Sequence, residues 1–139
     1  MTLGVSRELS LLAFNARVLS EASNKKRPLL DRFRFLGIVA SNVDEFYGVR
    51  VAGIQDQQAA GLRTQGPDGR TPEVQLALIR EATSLLTESA QESWGSLIEE
   101  LGSAGWPLRR WDDLDAAEQS ILTERFAREI FPVLTPLAV

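Results

Sequence analysis

Apolar residues recur at three- and four-residue intervals along almost the whole chain, the period of α-helices that bury one face. Leu9, Leu12, Ala16 and Leu19 form the first stripe, with Phe14 and Val18 beside it. Ser6 stands where a cap is needed, and Glu8 lies in the first turn, where a carboxylate meets the positive end of the helix dipole. The run Ser23-Asn24-Lys25-Lys26-Arg27-Pro28 ends this helix. Pro28 suits the first position of the next, having no N–H to lose there. A second helical segment is expected from Pro28 to about Ala60, carried by Leu29, Phe33, Leu36 and Val39 or Ala40. Phe46, Val49 and Gly53 follow as one face, with Val51 and Ile54 near it. Between these stripes, Ser41-Asn42-Val43-Asp44-Glu45 has capping-box spacing, Ser41 with Asp44 or Asn42 with Glu45, and predicts a break or a fresh helix start.

Gly61, Gly66, Pro67 and Gly69 fall within ten residues and predict a mobile loop. Thr71-Pro72-Glu73 then supplies cap, first-turn proline and first-turn acid. The helix it opens is expected over residues 72–101, with Val74, Leu78, Leu85, Trp94, Leu97 and Leu101 inward and Gly102 and Gly105 ending it. Trp106-Pro107-Leu108 reads as extended. Asp115 and Glu118 form another capping box, opening a helix to about Glu129 whose apolar side is Ile121, Leu122, Phe126 and Ile130. The apolar run from Phe131 to Val139, with two prolines, reads as extended and as the entry into a further domain, so the chain is expected to be incomplete. The fold class that follows is all-α: a bundle of about four helices with a short extended C-terminal segment.

Composition removes chemistry more than it adds any. The 139 residues contain neither Cys nor His, which excludes thiolate and imidazole catalysis and the commonest soft-metal ligands. No phosphate-cradling glycine motif of the Walker or dinucleotide type is present. Gly66-Pro67-Asp68-Gly69 is turn chemistry. The neighbouring carboxylates at Asp44-Glu45, Glu99-Glu100 and Asp112-Asp113 point about 100° apart on a helix and converge poorly on one proton or metal. No catalytic and no metal-binding residue is therefore expected. No basic stretch leads into an apolar run at the N-terminus, so no secretory signal is expected. No apolar segment reaches the roughly 20 residues of a membrane span. Charge is uneven: residues 1–50 hold eight Lys/Arg against five Asp/Glu, whereas residues 51–139 hold seven against fourteen. The basic half suits an anionic ligand or ordinary solvated helix surface. The acidic half argues against nucleic acid, so Trp94, Trp106 and Trp111 read as core or docking anchors. Asn42 carries two donors and an acceptor, enough to read an adenine edge or orient a phosphate. At a helix start it would also sit beside unpaired backbone N–H groups, a natural anion site. The competing role is a plain helix cap.

Two stretches carry a resemblance. Arg7-Glu8-Leu9-Ser10-Leu11-Leu12-Ala13-Phe14-Asn15-Ala16-Arg17-Val18-Leu19 resembles the opening motif of the polyphosphate kinase family, and residues 28–50, through Ala40-Ser41-Asn42-Val43-Asp44-Glu45-Phe46-Tyr47, resemble its second. One departure is Leu11, where the family usually has Trp; the smaller side chain is expected to leave that contact underpacked. The resemblance implies that residues 1–105 are the N-terminal helical domain and residues 106–139 the beginning of a head domain. It implies an enzyme that moves the terminal phosphate of ATP reversibly onto polyphosphate, through a phosphohistidine and with Mg²⁺, both held by C-terminal domains. It implies that Asn42 binds ATP and that this chain alone is inactive. Arg32, Arg34 and Arg50 could add positive potential near that pocket, but by default they read as surface or interdomain residues. It further implies docking to the head and C-terminal domains, a homo-oligomer at full length, and a cytoplasmic location or membrane association as part of the whole enzyme. The alternative is a stand-alone helical interaction protein without catalytic activity, and the reading frame beyond Val139 separates the two.

Overall fold

The computed structural model describes residues 6–62 and 68–135. Among them there are five α-helices and no strand: α1 (Arg7–Ser20), α2 (Leu29–Glu45), α3 (Ala52–Ala59), α4 (Pro72–Ser103) and α5 (Ala116–Arg125). A π-helical turn, Phe46–Val51, joins α2 to α3 without a break, so residues 29–59 make one continuous rod. The 32-residue α4 spans the bundle and packs against α1, α2 and α3.

Local signals behave as their chemistry requires. Ser6 Oγ accepts from Leu9 N–H at 3.3 Å, and Asp115 and Glu118 each accept from the other's backbone N–H at 2.9 and 3.0 Å. Pro72 occupies the first turn of α4, although the Thr71 side chain makes no capping bond. Pro28 lies one position outside α2 rather than in its first turn. Gly105, at φ +89°, ends α4: its N–H donates to Gly102 O and the Trp106 N–H to Leu101 O, both at 3.0 Å. Gly61, at φ +69°, ends α3 with the same pair of bonds to Gln58 and Gln57. Gly102 lies inside α4 and ends nothing. Half of the expected mobile loop over residues 61–70, residues 63–67, lies outside the described residues; Asp68, which follows, is buried and accepts from the Arg70 N–H at 3.1 Å and from its guanidinium at 3.2 Å.

The core consists of Leu12 and Leu19 from α1, Ala22 from the loop, Val39 and Phe46 from the rod with Val51 and Ile54, and Leu76, Ile79, Leu86 and Leu97 from α4. Two expected faces shift. On α4, Val74 and Leu85 are exposed, and the buried stripe is Leu76, Ile79, Thr83, Leu86 and Leu97. This helix is apolar on more than one side, and packing against α1 and α2 selects among the stripes. On the rod, Val49 is 63% exposed while Phe46 and Val51 are buried five residues apart. That spacing follows the i→i+5 bonding of a π turn, which rotates the inward face relative to an α-helix. Trp94 is only partly covered, packing edge-on against Phe33 at 5.8 Å.

Residues 104–135 contribute no buried side chain. Trp106, Leu108, Trp111, Ile121, Phe126 and Phe131 are all exposed, so Trp106 and Trp111 are not core residues. The expected extended stretch is narrower than its apolar composition indicated. Phe131–Val133 form a 3₁₀ turn around Pro132, extended backbone begins at Leu134, and residues 136–139 lie outside the described residues.

Thr83 Oγ1 is buried without a hydrogen-bond partner among the described residues. Desolvating a hydroxyl without replacing its bond to water is unfavourable. Thr83→Val is therefore expected to raise stability by about 1 kcal/mol. Urea unfolding checks this, and an unchanged or lowered midpoint contradicts it.

Candidate functional site

Asn42 does not start a helix. No Gly or Pro interrupts residues 41–45, α2 runs through them, and the Asn42 carbonyl accepts from Phe46 N–H one turn on. The expected break, the capping boxes at Ser41 and Asn42, and the anion site of unpaired N–H groups are therefore corrected: at these positions the backbone donors are spent inside the helix. The Asn42 side chain does not cap its own backbone either. Its Nδ2 donates across the bundle to Asn15 Oδ1 at 2.8 Å.

Asn15 is 1% exposed and occupies the inward stripe Leu12, Asn15, Leu19, Ala22 of α1 and the loop after it. Its own Nδ2 donates to Leu11 O at 3.0 Å, so both ends of this buried amide are bonded. Ala16, expected on that stripe, is exposed. Asn15 fits the spacing of Leu12 and Leu19, but its polarity disguises that core position in the sequence.

Around this amide pair is a cavity of about 300 Å³, lined by Leu11, Phe14, Asn15, Asn42, Glu45, Phe46, Val49 and Arg50. A second cavity of about 290 Å³ adjoins it, sharing Leu11, Phe14, Phe46 and Arg50 and adding Arg7, Glu8 and Ser10. The elements impose this grouping. α1 supplies one wall, α2 the other, and the π turn brings Val49 and Arg50 outward over the opening while Phe46 closes the floor. Leu11 is 38% exposed on this wall, so its short side chain widens the cleft rather than leaving a void in the core. Arg7 and Arg50 take part in no ion pair among the described residues. Phe14 presents a half-exposed ring, with the Arg17 guanidinium 5.8 Å from its centre. The cleft thus combines an apolar plate, one oriented amide, two guanidiniums outside any ion pair among the described residues and, in the same lining, the Glu8 and Glu45 carboxylates; it suits a small ligand with an apolar face and polar edges.

The other arginines have different roles. Arg32, expected at the surface, is buried: it forms a two-pronged pair with Glu100 at 2.6 and 3.1 Å and donates through Nε to Ala22 O at 2.7 Å. Sequence spacing could not show a partner 68 residues away. Arg34 is exposed, with Asp31 3.7 Å away. Among the described residues no three His, Cys, Asp or Glu side chains converge to hold a metal ion, and no helix is long and apolar enough to cross a membrane. Between α2 and α4 lies an open apolar groove of about 470 Å³, lined by Phe33, Leu36, Ala40, Val43, Leu86 and Trp94 with few polar groups.

The comparison with known proteins agrees with the two motifs at residues 7–19 and 28–50. Residues 5–108 match the family described as polyphosphate kinase N-terminal domain. The polyphosphate kinases of Mycobacterium tuberculosis (strain ATCC 25618 / H37Rv) and Mycobacterium bovis (strain ATCC BAA-935 / AF2122/97) are each 48% identical over 136 residues, which is 97% of this chain and 18% of theirs. The polyphosphate kinase of Mycobacterium avium (strain 104) is also 48% identical over 136 residues, 19% of its length. The chain therefore spans about a fifth of the length of these curated relatives. An all-α bundle, a match across residues 5–108 and near-half identity to three such relatives lead to one assignment: the chain belongs to the polyphosphate kinase N-terminal domain family.

Proposed function

We propose that this chain is the nucleotide-side and docking domain of an enzyme that moves the terminal phosphate of ATP reversibly onto polyphosphate, and that Asn42 is its contact to the nucleotide. The observation that carries the reading is the cleft itself: the Asn42 amide, fixed by Asn15, stands in a wall with Phe14, Phe46 and Arg50. A base or sugar can lie against the apolar plate while the amide reads a polar edge. Arg50 and Arg7 offer guanidinium donors for the phosphates, beside the Glu8 and Glu45 carboxylates of the same lining.

The described residues offer nothing that accepts a phosphoryl group in the manner of a phosphohistidine, and no carboxylate cluster for Mg²⁺. The division of labour is thus holding here and reacting elsewhere. Phosphoryl transfer depends on positioning and charge stabilisation, so a rigid wall contributes to the rate without touching the transferred group. Residues 106–139 are proposed as the beginning of the head domain. Support comes from the family match, which stops at residue 108, and from the exposed apolar side chains beyond it. The α2/α4 groove and those side chains are the surfaces on which the remainder of the kinase would dock.

The test is a structure of a longer kinase, one carrying these residues as its N-terminal domain, with a non-hydrolysable ATP analogue. The base or ribose is expected within hydrogen-bond distance of Asn42, and the purified 139-residue chain is expected to turn over no ATP. A nucleotide bound away from residues 42–50, or polyphosphate made by the isolated chain, would overturn the reading.

A further inference from the structure

The orientation of the Asn42 amide follows from its partner. A backbone carbonyl can only accept, so the Asn15 group facing Leu11 O at 3.0 Å must be Nδ2. The other end of Asn15, facing Asn42, is then Oδ1, and an oxygen without a hydrogen can only accept in turn. The Asn42 group 2.8 Å away must therefore be its Nδ2. Both choices are forced by the Leu11 carbonyl, through a residue that is 1% exposed and locked in the α1 stripe. What remains to Asn42 is its Oδ1, which takes no hydrogen bond among the described residues, and the second hydrogen of its amino group. Both belong to a side chain that lines the cleft.

We infer that Asn15 is the positioning residue of the nucleotide site: through the chain Leu11 O, Asn15, Asn42 it holds the Asn42 amide with Oδ1 available to the cleft, so that the site takes a hydrogen-bond donor from the nucleotide. This rests on the reading of Asn42 as the nucleotide contact. The donor is either the exocyclic amino group of the base or the ribose 2′-hydroxyl, and the two are separable by experiment. An amide free to turn would present either an acceptor or a donor and would discriminate neither. A locked amide fixes where each remaining group lies: a ligand that places an acceptor, or nothing, opposite Oδ1 is rejected, because that oxygen then loses water without replacement, whatever the remaining amino hydrogen contacts.

The experiment uses the longer kinase with these residues as its N-terminal domain and three probes: ATP, inosine triphosphate (carbonyl in place of the amino group) and 2′-deoxy-ATP (hydroxyl removed). The wild-type enzyme is expected to prefer ATP over one of the two analogues by about five- to tenfold in kcat/KM. In Asn15→Leu, which removes the acceptor, that preference is expected to fall towards one, mainly through KM for ATP. Asn15→Thr is made in parallel as a second substitution at this buried position, so that the test survives a folding failure of the first. Its hydroxyl can still bond the Leu11 carbonyl one turn back but is too short to reach Asn42. Whichever variant folds decides the matter, with folding checked by thermal unfolding. Asn15→Asp keeps an oxygen towards Asn42 and is expected to retain more of the preference than either.

A preference unchanged in a folded Asn15→Leu or Asn15→Thr enzyme would make Asn15 a purely structural residue. A wild-type enzyme that uses all three nucleotides equally would overturn the inference as well. Asn42→Ala separates this failure from that of the underlying reading. If it leaves KM for ATP unchanged, Asn42 is not the contact at all. If it raises KM while the Asn15 variants keep the preference, only the positioning role falls.

Discussion

Asn42→Ala, in a kinase carrying this domain, is expected to raise KM for ATP about tenfold, the equivalent of one neutral hydrogen bond together with the nucleotide group left unpaired. The kcat is expected to stay within about twofold, because a contact made equally in the ground and transition states changes binding rather than the chemical step. The same substitution has a second, independent effect. It leaves Asn15 Oδ1, in a side chain 1% exposed, without its donor. An orphaned buried acceptor costs roughly 1–3 kcal/mol, so Tm should also fall. The two effects are measured separately, by steady-state kinetics well below the transition and by thermal unfolding without nucleotide. A lowered Tm with an unchanged KM would make Asn42 a clasp between α1 and α2 and nothing more.

The Asn42–Asn15 bond shows why the site was only half legible in the sequence. Signals confined to four or five residues were readable: the Ser6 cap, the Asp115–Glu118 capping box and the glycine at position 105 each formed as their local chemistry requires, and Pro72 opens α4 although Thr71 makes no capping bond. Asn42 itself could be singled out, but its setting could not. A polar residue followed by Asp-Glu resembles a helix start, and only the Asn15 amide, 27 residues away, shows that its hydrogen bond is spent across the bundle. Residue pairs of that kind obey no local spacing rule. Face selection failed for a related reason. Val74 and Leu85 lie on a stripe as apolar as Leu76, Ile79 and Leu86, and α1 and α2 decide which is covered. At Val49 the period itself changed, since a π turn leaves no composition signature and shows only as two buried residues five apart.

The largest stability effect is expected at another long-range pair that sequence could not show. Arg32 is 4% exposed and ties the α1–α2 loop, through Ala22 O, to α4, through Glu100. Arg32→Ala removes the aliphatic stem, the bond to a buried carbonyl and both prongs on Glu100, and is expected to cost on the order of 3 kcal/mol. Glu100→Gln isolates the charge. The Arg32 guanidinium, by hydrogen bonding first and attraction second, holds the Glu100 carboxyl below its ordinary value of 4.5. A carboxyl whose pKa is depressed by folding adds stability that is fully present above its unfolded pKa and is lost as pH falls through the folded one. The deficit of Glu100→Gln relative to wild type should therefore be largest at neutral pH and shrink below pH 4.5. Arg32→Ala should keep a deficit even there, because the Ala22 carbonyl has lost its donor at every pH. Thermal unfolding of the three proteins at neutral and acid pH reads both expectations. A Glu100→Gln deficit that is constant with pH would mean that the carboxylate contributes packing and no charge. Equal acid-limit stabilities for wild type and Arg32→Ala would remove the Ala22 bond from the account.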